Sequence, residues 1–221
     1  MIKQQAIEHL GLKQIKRDFF DPENVIEKPE WQINIWPGYV TTIRQHEYEL
    51  LLGCQITHKI LRTDSAFGTM RQIMSRVQGN AQAYAIKKAL VGNIIICTYN
   101  NKTYRIDDVD FSSSPKSTFE LKGRGKTSFA EYYKERYNME VRDMNQPLLI
   151  SMPKDKDRRR GDMMAVKIIP EFAQMTGFTE QQRNNYKMMN VSVDRYIFNL
   201  SVFVQFVLLS IFAICILSIG V

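Results

Sequence analysis

The chain has 221 residues, 44% of them hydrophobic, and carries 30 Lys and Arg against 23 Asp and Glu, a net charge of +7. That size suits one full domain with a smaller companion, or part of something larger, and the basic surplus favours a polyanion, nucleic acid or anionic lipid, without choosing between them. Cys54, Cys97 and Cys215 are too scattered for a disulfide framework; His9, His46 and His58 stand with no cysteine or carboxylate at metal-ligand spacing; no Gly-rich phosphate loop or G-x-S-x-G elbow occurs; and the N-terminus is too polar for a secretory signal. A reducing compartment fits, and neither a metal nor a cofactor is expected.

Residues 1–20 read as a short basic amphipathic helix, broken at Asp21-Pro22. Residues 31–36 alternate apolar and polar, the pattern of a half-buried strand, and Pro37-Gly38 reads as a turn. Strands over 39–44 and 49–57 complete a small antiparallel sheet ending near Leu61. Phe67, Met70, Ile73, Met74 and Val77 fall at helical spacing and predict a helix over 65–77, followed by a second over 81–90. A buried-type strand over 91–99 turns at Asn100-Asn101, since Asn tolerates positive φ, and returns over 102–109. After a loop at 113–115 comes a strand over 117–121. Ser128 and Glu131 form a capping box that opens a helix ending near Asn138. Strands over 146–151 and 163–169 flank a charged loop holding Arg158-Arg159-Arg160, which reads as a solvated loop or, as the minority reading, a phosphate contact. A last helix is predicted over 179–189. Many short strands in the order β-β-α-α-β-β-β-α-β-β-α predict an α+β fold, a small open barrel with a helical hairpin on its side.

The chemistry concentrates between Gly92 and Asn138, where tyrosines and phenylalanines alternate with basic residues. Aromatic faces can stack on bases, while phenol hydroxyls and Arg or Lys reach phosphate oxygens, and no base identity is read. That suits the end of a single-stranded nucleic acid. The same aromatics could instead fill a small barrel core. On the capped helix Tyr133 and Tyr137 share one face and Tyr132 and Arg136 the adjacent one. The cluster Asp107-Asp108-Val109-Asp110 invites a metal reading, but adjacent carboxylates on a strand point to opposite faces and do not converge on one ion.

The stretches WPGYVTTIRQHEYELLLGCQITHKILRT, NNKTYRIDDVDF, PKSTFELKG, SFAEYYKERYN, NQPLLIS and IIPE closely resemble the Piwi clade of Argonaute proteins, over residues 12–189. The resemblance implies an N-terminal and first-linker region (1–61) and a PAZ domain, an OB-like barrel with an αβ insertion (62–175). The start of a second linker (176–198) would follow; the hydrophobic tail (199–221) is not part of the resemblance. It implies that the barrel holds the 3′ end of a single-stranded small guide RNA, piRNA-like and 2′-O-methylated, in RNA-guided silencing. Tyr104, Phe119, Tyr132, Arg136 and Tyr137 match the family's phosphate- and base-contacting positions. Tyr99 and Lys102 fall on the hairpin, Tyr133 stands where some relatives have Phe, and Val166, Lys167 and Ile168 should border the terminal sugar. The partners implied are small RNA and silencing-complex proteins, in the cytoplasm at perinuclear RNA granules.

The domain that grips the guide's 5′ phosphate and the RNase H-like catalytic domain would follow the second linker, so no enzymatic activity is expected of these residues. From Tyr196 to Val221 there is no charged residue, and the run is about the length that crosses a bilayer. It reads as a membrane anchor holding the domain toward the cytosol, or as a departure from the family produced by a truncated or mistranslated gene. A membrane-anchored adaptor, and a piece of a slicer nuclease, are the alternative functions.

Overall fold

The computed structural model describes residues 11–46, 49–79, 81–121, 125–153, 158–159 and 164–185. They fall into two compact units, one of residues up to Leu61 together with those from Gly177 onward, the other Arg62–Thr176. The apolar run after Tyr196 lies outside the described residues, and none of the described helices is long and apolar enough to cross a membrane.

In the first unit, β1 (Lys13–Ile15) and β2 (Asp18–Phe20) form a tight hairpin, and β2 pairs antiparallel with the long β4 (Ile33–His46). The second edge contact of β4 is β3 (Ile26–Lys28), and β5 (Glu49–Ser65) is the next strand in order. The hairpin corrects the helix predicted over 1–20, as far as those residues are described. Lys16 takes a left-handed φ of 61°, which closes the turn, and the strands then bury Ile15, Phe19 and Phe20 on the sheet. Pro37-Gly38 is not a turn either. The strand passes straight through it, because the Pro37 carbonyl accepts the Asp21 N–H at 2.8 Å and Gly38 pairs with Phe20. Any Cβ at Gly38 would collide with the Phe19 carbonyl oxygen and the Phe20 ring, so glycine is required here by close approach rather than by backbone angle. Pro29–Trp31 is a single 3-10 turn ended by left-handed Gln32, which delays the predicted strand to Ile33.

The second unit begins with a helical hairpin, α1 (Ala66–Arg76) and α2 (Ala81–Leu90), at the predicted places. Ser65 caps α1 by accepting the Gly68 N–H at 3.0 Å. Next come β6 (Ile94–Cys97), β7 (Thr103–Arg105) and β8 (Asp108–Asp110). The return strand predicted over 102–109 is thus two strands. β7 pairs with β6, while β8 leaves for a second sheet with β11 (Leu148–Ser151) and β12 (Val166–Ile168). On its other edge β6 pairs antiparallel with β13 (Ala173–Thr176). Both sheets and the helical hairpin close on one core, in which Met70, Ile86, Leu90, Ile95, Leu149, Ile168 and Met175 have no exposed surface. Burying that many apolar side chains is the main stabilising term of the unit. The architecture is α+β, two small antiparallel sheets curled around a shared core.

Between β8 and β11 an insertion stands apart from this core. It consists of β9 (Thr118–Leu121), β10 (Gly125–Ser128) and α3 (Phe129–Tyr137). The capping box is complete: Ser128 Oγ accepts the Glu131 N–H at 3.2 Å and Glu131 Oε2 accepts the Ser128 N–H at 3.1 Å. Asn138 ends α3 in the left-handed conformation at φ 52°, as an Asn at that place can.

Candidate nucleic-acid interface

The insertion has its own core of aromatic rings. Phe129, Tyr133 and Phe172 are buried, and Tyr99, Phe119, Tyr132 and Tyr137 pack around them half-buried. Phe119 on β9 stacks against Phe129 at 4.6 Å between centroids and meets Tyr132 edge-on at 5.6 Å. Tyr99, two residues past β6, reaches across from the barrel. Its ring lies 4.5 Å from Tyr137 and 5.0 Å, edge-on, from Tyr133, and its hydroxyl is 3.0 Å from the Tyr133 hydroxyl. The fold therefore gathers Tyr99, Phe119, Tyr132, Tyr133 and Tyr137 from three separate stretches of chain. Both readings of the aromatics apply: Tyr133 is core, while Phe119, Tyr132 and Tyr137 keep part of their surface open.

Tight local turns place the remaining groups. Asn101 at φ 54° reverses the chain between β6 and β7, with the Cys97 N–H donating to the Lys102 carbonyl at 2.9 Å. Lys102 is left exposed at the tip and Tyr104 half-buried on β7, its hydroxyl 3.5 Å from Asn100 Nδ2. Arg136 is exposed on α3, its guanidinium 5.8 Å from the ring centroids of both Tyr132 and Tyr137. Neither Lys102 nor Arg136 makes an ion pair among the described residues, whereas Arg105 is tied to Asp107 at 2.6 Å and Lys134 to Glu140 at 3.0 Å. Burial raises the pKa of Tyr99, Tyr104, Tyr133 and Tyr137 above that of free tyrosine; for Tyr137 a hydrogen bond to Tyr132 adds to it. The phenols therefore stay protonated at neutral pH, and those of Tyr104 and Tyr137, which keep part of their surface open, can donate to an anionic oxygen. Cys97 beneath them is pushed up to about 12 by burial, so it remains an unreactive thiol.

Strand β12 splits the three residues expected at the sugar. Val166 is 42% exposed, Lys167 turns to the opposite face, and Ile168 is fully buried in the barrel core. Period-2 alternation sets Lys167 on the face opposite Val166 and Ile168; on that shared face Val166 stays open, while Ile168 is covered by the core and has no surface to offer a ligand. Lys167 Nζ is held 2.8 Å from both Asp110 Oδ2 and Ser113 Oγ. The acidic cluster is likewise spent on cations: Asp107 on Arg105, Asp108 on Lys87 at 2.7 Å and Asp110 on Lys167. Of the predicted arginine triplet Arg158 and Arg159 are described, both exposed, and Arg160 lies outside the described residues. Sequence reasoning passed over Phe129 and Phe172 as contributors. The first follows the capping box directly and the second follows Ile-Pro-Glu, so both were visible as neighbours of recognised motifs. A groove of about 1030 Å³ lies beside the aromatic cluster, between α1 and the loop after α3, with Phe172 and Met139 as the shared wall. Its acidic and basic linings are mixed, which favours no one ligand.

An aromatic αβ insertion leaning on a small curled-sheet core is the architecture of a PAZ domain, and the sequence pattern of that domain matches residues 68–196; the chain belongs to the PAZ-domain family. Its relatives are of the Piwi clade. The chain is 42% identical over 191 residues to protein aubergine of Drosophila melanogaster, covering 86% of this chain and 22% of that protein. To the Piwi-like protein Siwi of Bombyx mori it is 41% identical over 180 residues, 81% of this chain and 20% of Siwi. The crystal structure of Drosophila Piwi superimposes with a TM-score of 0.56 at 38% identity, over 86% of this chain and 22% of that one. The chain thus spans about a fifth of the length of these relatives.

Proposed function

We propose that this chain holds the 3′ end of a single-stranded small guide RNA, piRNA-like, as the PAZ part of a Piwi-clade silencing protein. The observation that carries the reading is the half-open surface of Tyr104, Phe119, Tyr132 and Tyr137 together with two exposed cations, Lys102 and Arg136, that make no ion pair among the described residues. Protonated phenols and Arg136 suit the last phosphate, and Phe119 and Tyr132 offer ring surface to the final base, each stack contributing on the order of 1–3 kcal/mol. Only a terminal nucleotide can insert its whole sugar edge, because an internal one has a chain leaving on both sides. A 2′-O-methyl group removes a donor and adds apolar area, which the exposed Val166 would accept. No part of this reading requires the chain itself to cut RNA. A cytoplasmic setting, where guide RNA and silencing-complex proteins meet, goes with it. Competition decides the matter. A linear RNA with a free 3′-hydroxyl should displace a labelled guide, while the circular or 3′-phosphorylated form of the same sequence should not. Equal competition by the circle would sink the end-capture reading.

A further inference from the structure

Among the described residues, Tyr99 is the one half-buried aromatic that packs against both cores, the barrel's and the insertion's. Its hydroxyl meets that of Tyr133 at 3.0 Å, and Tyr133 is only 3% exposed. The Tyr133 hydroxyl is further bonded by the Ile169 backbone, which belongs to the second sheet's exit from β12. The Tyr99 ring, edge-on to Tyr133, is at the same time the nearest ring to Tyr137. Both ends of Tyr99 are therefore committed inward: the hydroxyl to a buried phenol, the ring face to the tyrosine that presents itself outward. Arg136 is exposed on α3 and Tyr132 and Tyr137 keep part of their surface open, whereas the Tyr99 hydroxyl is turned to the buried Tyr133.

We propose that Tyr99 and Tyr133 are a positioning pair, a phenol–phenol pin that joins the β6–β7 hairpin to α3 and sets the Tyr137 ring, while the terminal phosphate is carried by Tyr132, Arg136 and Tyr137 and not by Tyr99. This rests on the 3′-end reading above. The pin assigns a purpose to the second tyrosine of the Tyr132-Tyr133 doublet, whose hydroxyl would otherwise be an unneeded polar group inside an aromatic core. Removing either hydroxyl breaks the same bond, so the two losses should not add.

The test uses the full chain and two RNAs of one sequence, whose last internucleotide linkage is either a phosphate or an uncharged methylphosphonate. Wild type should bind the methylphosphonate RNA more weakly. Tyr99→Phe and Tyr133→Phe should each weaken binding of the phosphate RNA by about three- to tenfold, the loss expected for one hydrogen bond. The double variant should be no weaker than the singles, and all three should keep the full methylphosphonate penalty. Arg136→Met should lose most of that penalty. The pin is overturned if Tyr99→Phe also sheds the penalty, if Tyr133→Phe binds like wild type while Tyr99→Phe does not, or if neither hydroxyl matters. A wild type indifferent to both the methylphosphonate and the free end removes the end-capture reading, and the pin with it; loss of the pin alone leaves the wild-type preference intact.

Discussion

Substituting Arg136 with methionine keeps the length and apolar stem of the side chain and deletes its charge. Two exposed cations, Lys102 on the hairpin and Arg136 on α3, make no ion pair among the described residues, and Arg105 is largely neutralised by Asp107 at 2.6 Å. With about two phosphate charges engaged, the logarithm of affinity should fall with the logarithm of salt at a slope near 1.4, because each single-strand phosphate contact contributes about 0.7. Arg136→Met should therefore lower the slope by about 0.7. A charge-assisted hydrogen bond is worth about 1.5–3 kcal/mol, and because Arg136 is exposed and screened the low end applies, about tenfold in affinity. Arg136→Lys should keep the slope and lose a smaller part of the affinity, since the ammonium retains charge without the planar fork. Fluorescence anisotropy with a short single-stranded RNA across a potassium chloride series reads both quantities. An unchanged slope in Arg136→Met would show that this guanidinium neutralises no phosphate, and the assignment of α3 to the RNA backbone would be wrong.

Tyr132→Ala and Tyr137→Ala should each weaken RNA binding by roughly 1–3 kcal/mol with an unchanged circular dichroism spectrum, and Tyr137→Phe should cost only the hydroxyl's share; wild-type affinity in both alanine variants would make these rings pure core. Gly38→Ala should destabilise the first unit by about 1–3 kcal/mol, read as a lowered thermal midpoint, because the added methyl has only the Phe19 carbonyl and the Phe20 ring to enter. Hydrogen bonds from Lys167, then Ser112 and Ser113, hold the Asp110 carboxyl well below the usual carboxylate range. Its stabilisation is thus fully present above about pH 4 and is lost as pH falls toward the lowered folded value, so Asp110→Asn should flatten the acid limb of a urea-midpoint profile. An identical acid limb in that variant would contradict the assignment.

Local signals were read well where one motif decides the geometry. Asn100-Asn101 gave its turn, Ser128 and Glu131 gave the cap of α3, and the spacing of Phe67, Met70 and Met74 gave α1. The misses share a cause, which is that partners distant in sequence chose the conformation. Gly38 looked like half of a turn because the sequence does not display the Phe20 ring lying on it. Strand β10 has no apolar alternation and forms because β9 lies opposite it, and β13 is short enough that only the pairing of Ala173 with Cys97 and Met175 with Ile95 marks it. At the site, the aromatics announced themselves by composition, but their division of labour did not. Tyr133 is buried while Tyr137 on the same helix face stays half-open, and Ile168 is closed off while Val166 on the same strand face is exposed, so the core's reach along each element decides rather than the face alone. Motif resemblance placed the residues in the right neighbourhood; only packing separates those with open surface from those that hold them.

The most direct measurement is a photo-crosslink from the guide's last nucleotide. A single-stranded RNA carrying a photoreactive base at its 3′ terminus, irradiated with the chain and mapped by mass spectrometry, should mark Phe119, Tyr132 or Tyr137 and the Lys102–Tyr104 stretch. The same group placed ten nucleotides inward should mark none of them. Terminal crosslinks that fall elsewhere, or equal labelling from the internal position, would contradict capture of the 3′ end by this aromatic surface.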